Sequence, residues 1–293
     1  MKIRRPIARS LRLAALAALI FAPITGAWAA DDGPASSPIA DYFAHWFDRV
    51  NAAQASQPHW ITPLATTTPR LEQEFRYDQY WERLPHGGGH IDSFGAGKGL
   101  ELIPTERTEI IVGVPPYMER AGKVDHGGLG DMPLLFKYRL LSENESRGNY
   151  IVTAFLQGGV PMGDRLFSAH HYSITPTIAF GKGWGDCDIQ MTLGDNIPTG
   201  GADKLGHPIA LNTAFQYHAW AVLWPEFEAN YTYWPDGAKA GKSQLYLTPG
   251  IVFGRFPIAD RLKLIVGVGY QFAVAPDNPG FDHNWILSVR TAF

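Results

Sequence analysis

The sequence predicts an all-β protein, a transmembrane antiparallel β-barrel of about twelve strands behind an N-terminal amphipathic helix. Three observations carry this. From Arg70 onward, apolar and charged residues alternate with period two. The connections between these segments alternate between long and short. The chain closes on a strand in which Trp285, Leu287, Val289 and Phe293 share one face and Asn284, Ser288 and Arg290 the other. Such a strand suits a wall with hydrocarbon outside and a polar interior, although a soluble sandwich strand alternates in the same way.

The amino-terminus supplies the context. Lys2, Arg4, Arg5, Arg9 and Arg12 precede an apolar run from Leu13 to Phe21, and Ala27-Trp28-Ala29 offers small residues for cleavage, so residues 1–29 read as a signal peptide. Its loss leaves 25 − 5 = 20 basic against 28 acidic residues, a balance of 20 − 28 = −8 that argues against nucleic acid as a partner. No later run reaches the roughly 20 apolar residues of a membrane helix. Cys187 is the single cysteine, so no intramolecular disulfide forms.

Residues 30–69 form the second segment. Ser37 suits a helix cap, Pro38 a first turn, and Ile39, Tyr42, Phe43, Trp46, Phe47 and Val50 recur at helical spacing, predicting one helix over residues 38–54. Pro58 and Pro63 end it. Its stripe is too apolar for water, so Tyr42, Phe43, Trp46 and Phe47 are expected either to plug the periplasmic mouth of the barrel or to dock at the membrane interface.

Residues 70–293 form the barrel. In the first strand Leu71, Phe75 and Tyr77 are expected to face lipid, opposite Glu72, Glu74, Arg76 and Asp78. Further strands are predicted at 98–103, 108–114, 130–140, 149–157, 172–180, 186–193, 208–217, 223–233, 244–253, 261–274 and 284–293. The long connections are 79–97, 115–128, 158–171, 194–207, 234–243 and 275–283, with short turns between them, which puts both termini at the periplasmic side. Pro133, Pro176, Pro225 and Pro249 fall inside strands, where proline withholds a ladder donor, so ten or fourteen strands stay open as counts.

The alternation sends Glu72, Glu74, Arg76, Asp78, Glu101, Glu109, Asp131, Lys137, Arg139, Asp188, Glu226, Glu228, Lys263 and Arg290 inward. Both signs are present. They read first as a paired network filling a narrow barrel and, without excluding it, as a polar path biased against anions. Cys187 shares the lipid face with Ile189, Met191 and Leu193, opposite Asp188 and Gln190. Tyr231, Tyr233 and Trp234 near one strand end, and Trp184 and Trp220 near the other, read as interfacial belts.

His86, His90, His126, His170, His171, His207 and His283 fall in the long connections without a zinc-site spacing, so neither a metal nor a cofactor is expected. Ser168 with His170 and His171 raises lipid hydrolysis as a rival function. No Gly-x-Ser-x-Gly or His-x-Ser-Asn arrangement accompanies them, so no catalytic residue is assigned.

Gly128-Leu129-Gly130-Asp131, Phe136-Lys137-Tyr138-Arg139, Trp224-Pro225-Glu226-Phe227-Glu228, Thr248-Pro249-Gly250, Gly267-Val268-Gly269-Tyr270 and the terminal Phe293 resemble an outer-membrane barrel family, the one named for the meta pathway of phenol degradation. The likeness runs from Arg70 to Phe293 and leaves out the helix. It implies a transporter of small, often aromatic, compounds, with no catalytic residues to carry over. The expected function is passive passage of small molecules, aromatic or hydrophobic compounds among them, through the outer membrane of a Gram-negative bacterium. A lipid-hydrolysing enzyme and a structural or adhesive barrel are the alternatives. The expected partners are outer-membrane lipid, the solute, and the barrel-assembly machinery through the strand ending at Phe293.

Overall fold

The structure is a computed structural model that describes residues 37–275 and 280–293; the predicted signal peptide lies outside them. Twelve antiparallel strands close into a barrel. They are β1 Glu74–Arg83, β2 Gly89–Thr105, β3 in two pieces, Thr108–Val112 and Tyr117–Gly122, and β4 likewise, His126–Leu129 and Met132–Glu143. Then follow β5 Tyr150–Val160, β6 Ser173–Trp184, β7 Cys187–Asp195, β8 Ile209–Tyr217, β9 Leu223–Tyr233, β10 Ser243–Pro257, β11 Lys263–Ala275 and β12 His283–Ala292.

Each strand pairs with its sequence neighbours, and β1 closes the ring by pairing with β12 from Glu74↔Ala292 to Arg83↔His283. Closure satisfies the backbone without leaving an edge, which a hydrocarbon surrounding demands. The breaks in β3 and β4 share one cause. The segment Gly113-Val114-Pro115-Pro116 offers no amide hydrogen at its two prolines, and only single bonds, Gly113 N to Pro133 O and Gly130 N to Pro116 O, bridge the gap.

The burial pattern is inverted relative to a soluble protein. Along β12, Asn284, Ile286, Ser288 and Arg290 are buried while Trp285 is exposed. Along β7, Cys187 and Leu193 are exposed, whereas Asp188, Gln190 and Thr192 are buried. Phe136, Tyr138, Phe180, Phe215, Phe227 and Val268 line the outside. Charged and polar side chains dominate the inside, as a membrane wall requires.

The sequence reading needs four corrections. First, the opening strand begins at Glu74 rather than Arg70. Residues 68–74 are buried without alternation, because this stretch lies inside the barrel instead of in its wall. Leu71 therefore does not face lipid; it packs against Val50, Ala53 and Ile103.

Second, residues 79–97 and 115–128 are not loops. β1 runs up to Arg83, β2 begins at Gly89, and the upper pieces of β3 and β4 pair over Tyr117↔Leu129 to Arg120↔His126. These hairpins carry glycines and charges on both faces, so no hydrophobic alternation marks them.

Third, the predicted helix is two, α1 Pro38–Ala44 and α2 Trp46–Ala55, broken at His45, whose ring lies 2.9 Å from Asp48. Fourth, the closing residue Phe293 lies past the ladder, where its N–H donates to the Gln73 carbonyl.

Candidate functional site

The segment between α2 and β1 fills the barrel. Residues 57–73 contain Pro58, Pro63 and Pro69, which fix φ and remove three backbone donors, so neither helix nor strand forms. Yet nearly all of it is buried; His59, Ala65 and Thr67 are the exceptions. A buried irregular backbone must find hydrogen-bond partners, and here the wall supplies them.

The rising arm starts at Ser56, whose carbonyl accepts from Ser142 Oγ, while Asn144 Nδ2 donates to Ala55 O. The backbone N–H and ring of His59 bond to Glu145 in the β4–β5 turn, at 2.5 and 2.9 Å. Farther in, Arg290 donates to the carbonyls of Thr62 and Pro63, and Arg76 to those of Pro63 and Leu64. At the tip the polarity reverses. Glu226 accepts the Leu64 N–H at 3.0 Å, and Glu228 accepts the N–H groups of Ala65 and Thr66 at 2.7 and 2.5 Å.

The returning arm is held in the same way. Thr68 donates to Gln190 Oε1, Thr153 to Pro69 O, Lys137 Nζ to Arg70 O, and Glu109 accepts the Glu72 N–H. Gln73 then accepts from Ile103 N as the chain turns into β1. Direct contacts from this segment thus reach β1 to β7 and β9 to β12.

Glycines cut the sockets. A Cβ on Gly250, Gly267 or Gly269 would meet the Leu64 methyls at 2.6 to 2.7 Å, and one on Gly181 would meet the Trp60 ring at 2.5 Å. Leu64 sits with Ile61, Trp224, Val252, Ile265 and Ile286 in the one apolar cluster at the tip. Thr248-Pro249-Gly250 and Gly267-Val268-Gly269-Tyr270, two of the segments that carry the family resemblance, hold the three glycines that make room for this leucine.

Two cavities flank the segment. The larger, about 430 Å³, lies toward the end where β1 starts and β12 stops, between α2, Arg255, Lys263 and Phe293. The smaller, about 150 Å³, lies beyond the tip, lined by Ala65, Thr67, Tyr80, Lys98 and Gln157. Arg255 is an unexpected member of the site. A register shift between Gly254 and Phe256 and a φ of 47° accompany it, and its guanidinium donates to Trp60 O, as does Arg70. No hydrophobic alternation marks such a bulge, so sequence reading passes over it.

The structure buries Glu72, Glu74, Arg76, Asp78, Glu101, Glu109, Lys137, Arg139, Asp188, Glu226, Glu228 and Arg290. They do not form a ring of ions around water. Arg76 pairs with Asp78 at 2.8 Å, Lys137 with Glu109 at 3.1 Å and Arg70 with Glu72 at 2.8 Å, while Glu226, Glu228 and Arg290 serve the inserted backbone and Asp188 accepts from Gln190. Arg139 grips the end of α2 through Ala53 O and Ser56 Oγ, where a cation meets unsatisfied helix carbonyls.

Two candidates fall elsewhere. Asp131 sits in the β4 break and accepts the N–H groups of Gly163 and Ala169, clasping the β5–β6 loop. Lys263 is exposed at the rim of the larger cavity. Asp188 and Gln190 face inward but are covered by the inserted segment, so they are not open to lumen water.

The expected plug residues Tyr42, Phe43 and Phe47 stay outside the barrel, while Trp46 is half-buried against the cluster of Val50, Ala53, Leu71 and Ile103. Phe43 and Phe47 are exposed, and α2 buries only Val50 and Ala53. The lumen offers fixed carboxylates and guanidiniums, which match a bare backbone better than an aromatic stripe.

At the opposite rim, Ser168 Oγ accepts the His170 backbone N–H, and the His170 ring faces the Arg165 carbonyl instead of the serine. A serine nucleophile needs its base within hydrogen-bond reach, which this arrangement lacks. Among the described residues, no group of three or more His, Cys, Asp or Glu side chains is placed to hold a metal ion.

The His59–Glu145 clasp gives the segment a pH dependence. Burial pushes the Glu145 carboxyl up, but hydrogen bonds from the His59 N–H and ring outweigh it and hold the carboxyl below its usual 4.5. A depressed carboxylate favours the clasped state above its ordinary value and loses that contribution as pH falls through the lowered one. Amide exchange at His59 should therefore speed up as pH falls below the ordinary carboxylate range and be pH-flat in Glu145→Gln, once intrinsic rates are divided out. Equal acid sensitivity in the two proteins would remove the clasp from this account.

No family model matches the chain, and no curated protein matches it. Among solved structures it is similar to an outer membrane channel from Pseudomonas putida F1, at 14% identity over 74% of this chain and 92% of that one, with a TM-score of 0.50. The NanC porin aligns at 8% identity over 74% of this chain and 98% of that one, with a TM-score of 0.47. The KdgM porin aligns at 9% identity over 75% and 99%, with a TM-score of 0.45. At such identities the likeness to the Pseudomonas channel is one of fold: this chain has the closed antiparallel barrel architecture of outer-membrane channels.

Proposed function

We propose that this protein is an outer-membrane channel for small solutes, closed at rest by residues 57–73. The observation that carries the reading is how the segment is held. Wall side chains bond its backbone, and Leu64, Ile61, Trp60 and Leu71 are its apolar anchors. Water can replace hydrogen bonds of this kind at small net cost, about 0.5–1.5 kcal/mol each, so displacement exchanges one polar environment for another. Export through the amino-terminal leader and assembly through β12 fit this reading, with the terminal end of the barrel in the periplasm. The resemblance to the meta-pathway family supports small aromatic or hydrophobic compounds as solutes.

A tether tests it. Thr66 Oγ1 accepts from Asn230 Nδ2 at 3.3 Å, so cysteines at both positions, in a Cys187→Ser background, are within reach of a short bismaleimide. Proteoliposome uptake of phenolic acids should fall to the leak of empty vesicles on cross-linking and persist in either single-cysteine protein. Uptake indifferent to the tether would mean that solutes do not pass by displacing this segment.

A further inference from the structure

The walls of the barrel leave one sector of the terminal end without an exposed Trp or Tyr. Elsewhere that end carries Tyr138 on β4, Trp184 on β6, Tyr217 on β8 and Trp220 in the β8–β9 turn, all exposed. Going round through β11, β12, β1, β2 and β3, the outward residues toward this end are Leu264, Thr291, Phe75, Leu102, Thr108 and Ile110. None is Trp or Tyr, the residues that settle at headgroup depth.

The aromatic cluster of the helices bridges this sector. At one side, Tyr42 Oη donates to Pro104 O at the end of β2, at 2.8 Å. At the other, the Arg261 guanidinium in the β10–β11 turn lies 4.2 Å from the Phe47 ring centroid and donates to Asn51 Oδ1. Between them Tyr42, Phe43 and Trp46 pack ring to ring, with centroids 5.3 to 6.2 Å apart. Phe43 is nonetheless 63% exposed and Phe47 43%. Water is a poor neighbour for such a group, while the boundary between headgroups and acyl chains takes an amphipathic helix with Trp and Phe on its apolar side.

We propose that Phe43, Trp46 and Phe47 insert into the periplasmic leaflet and complete the aromatic belt over β11 to β3. The partner is the lipid interface itself, continuous with the belt the strands already present. This rests on the outer-membrane reading. It adds a role for the helices: they anchor the amino-terminal end of the inserted segment to the membrane, so that the segment leaves the lumen without the chain leaving the rim.

The test uses the full chain with Cys187→Ser, in phosphatidylcholine vesicles, carrying an environment-sensitive fluorophore on one new cysteine. Phe43→Cys is the probe. Ala52→Cys, on an exposed position of α2 away from the aromatic cluster, is the water-side control, and Ile178→Cys, on the outside of β6, the lipid-side control. Lipid-borne nitroxides should quench the label at 43 about threefold more than that at 52, with the order reversed for aqueous iodide. If 178 is quenched by lipid but 43 behaves like 52, the inference fails and the channel reading stands. If 178 also escapes lipid quenching, the membrane reading fails and takes the inference with it.

Discussion

Deleting residues 37–69, with residues 1–36 kept, should turn a closed barrel into an open one and raise bilayer conductance on the order of tenfold or more. The wall does not depend on the deleted residues for closure, since β1 and β12 pair along their whole length from Glu74 to Arg83. Arg76, Arg290, Glu226 and Glu228 would lose their backbone partners, but lumen water would then reach them, so no charge is stranded. The instructive control is deletion of residues 37–55 alone. That removes both helices and leaves the lumen filled, so conductance should stay near that of the full chain and become noisier as the tether to the rim is lost. A heat-modifiable barrel lacking residues 37–69 that conducts no better than the full chain would refute the assignment of this segment as the plug.

Lys137→Met should destabilise the folded barrel by about 3–5 kcal/mol, because it leaves a fully buried carboxylate without its cation. Lys137 and Glu109 both have no exposed surface; their charged groups are 3.1 Å apart, and Lys137 also donates to Arg70 O. Changing both partners, Glu109→Gln with Lys137→Met, removes the stranded charge, and most of the loss should return. Urea unfolding in detergent micelles reads both. A single substitution costing less than about 1 kcal/mol, or a double one no better than the single, would show that water already reaches this pair. The plug deletion provides a cross-check: with residues 37–69 absent the site floods, and the cost of Lys137→Met should shrink several-fold, as solvated ion pairs contribute little.

The wall was legible because its constraint is local. A strand between lipid and lumen must alternate, so Trp285 and Arg290, or Leu193 and Asp188, announce opposite faces within a few residues. That logic reached the twelve strands, their order, and the inward direction of most charged side chains. It failed where the local constraint is missing. The hairpins at 79–97 and 115–128 lack an apolar face, and Arg255 comes inward through a bulge that no pattern marks.

The plug was decided by tertiary structure alone. By sequence, the apolar stripe of Tyr42, Phe43, Trp46 and Phe47 was the segment in need of burial, residues 56–69 were a linker and residues 70–73 the start of the first strand. What the lumen accepts is set instead by partners far along the chain: Glu226 lies 162 residues from Leu64, and Arg290 lies 227 from Pro63. A proline-rich stretch with unspent carbonyls and amides fits guanidiniums and carboxylates, whereas an aromatic helix would strand them. The sequence by itself determined the inward direction of most charged wall residues; only the closed barrel, by bringing those residues round a common axis, determined that they hold a piece of the same chain.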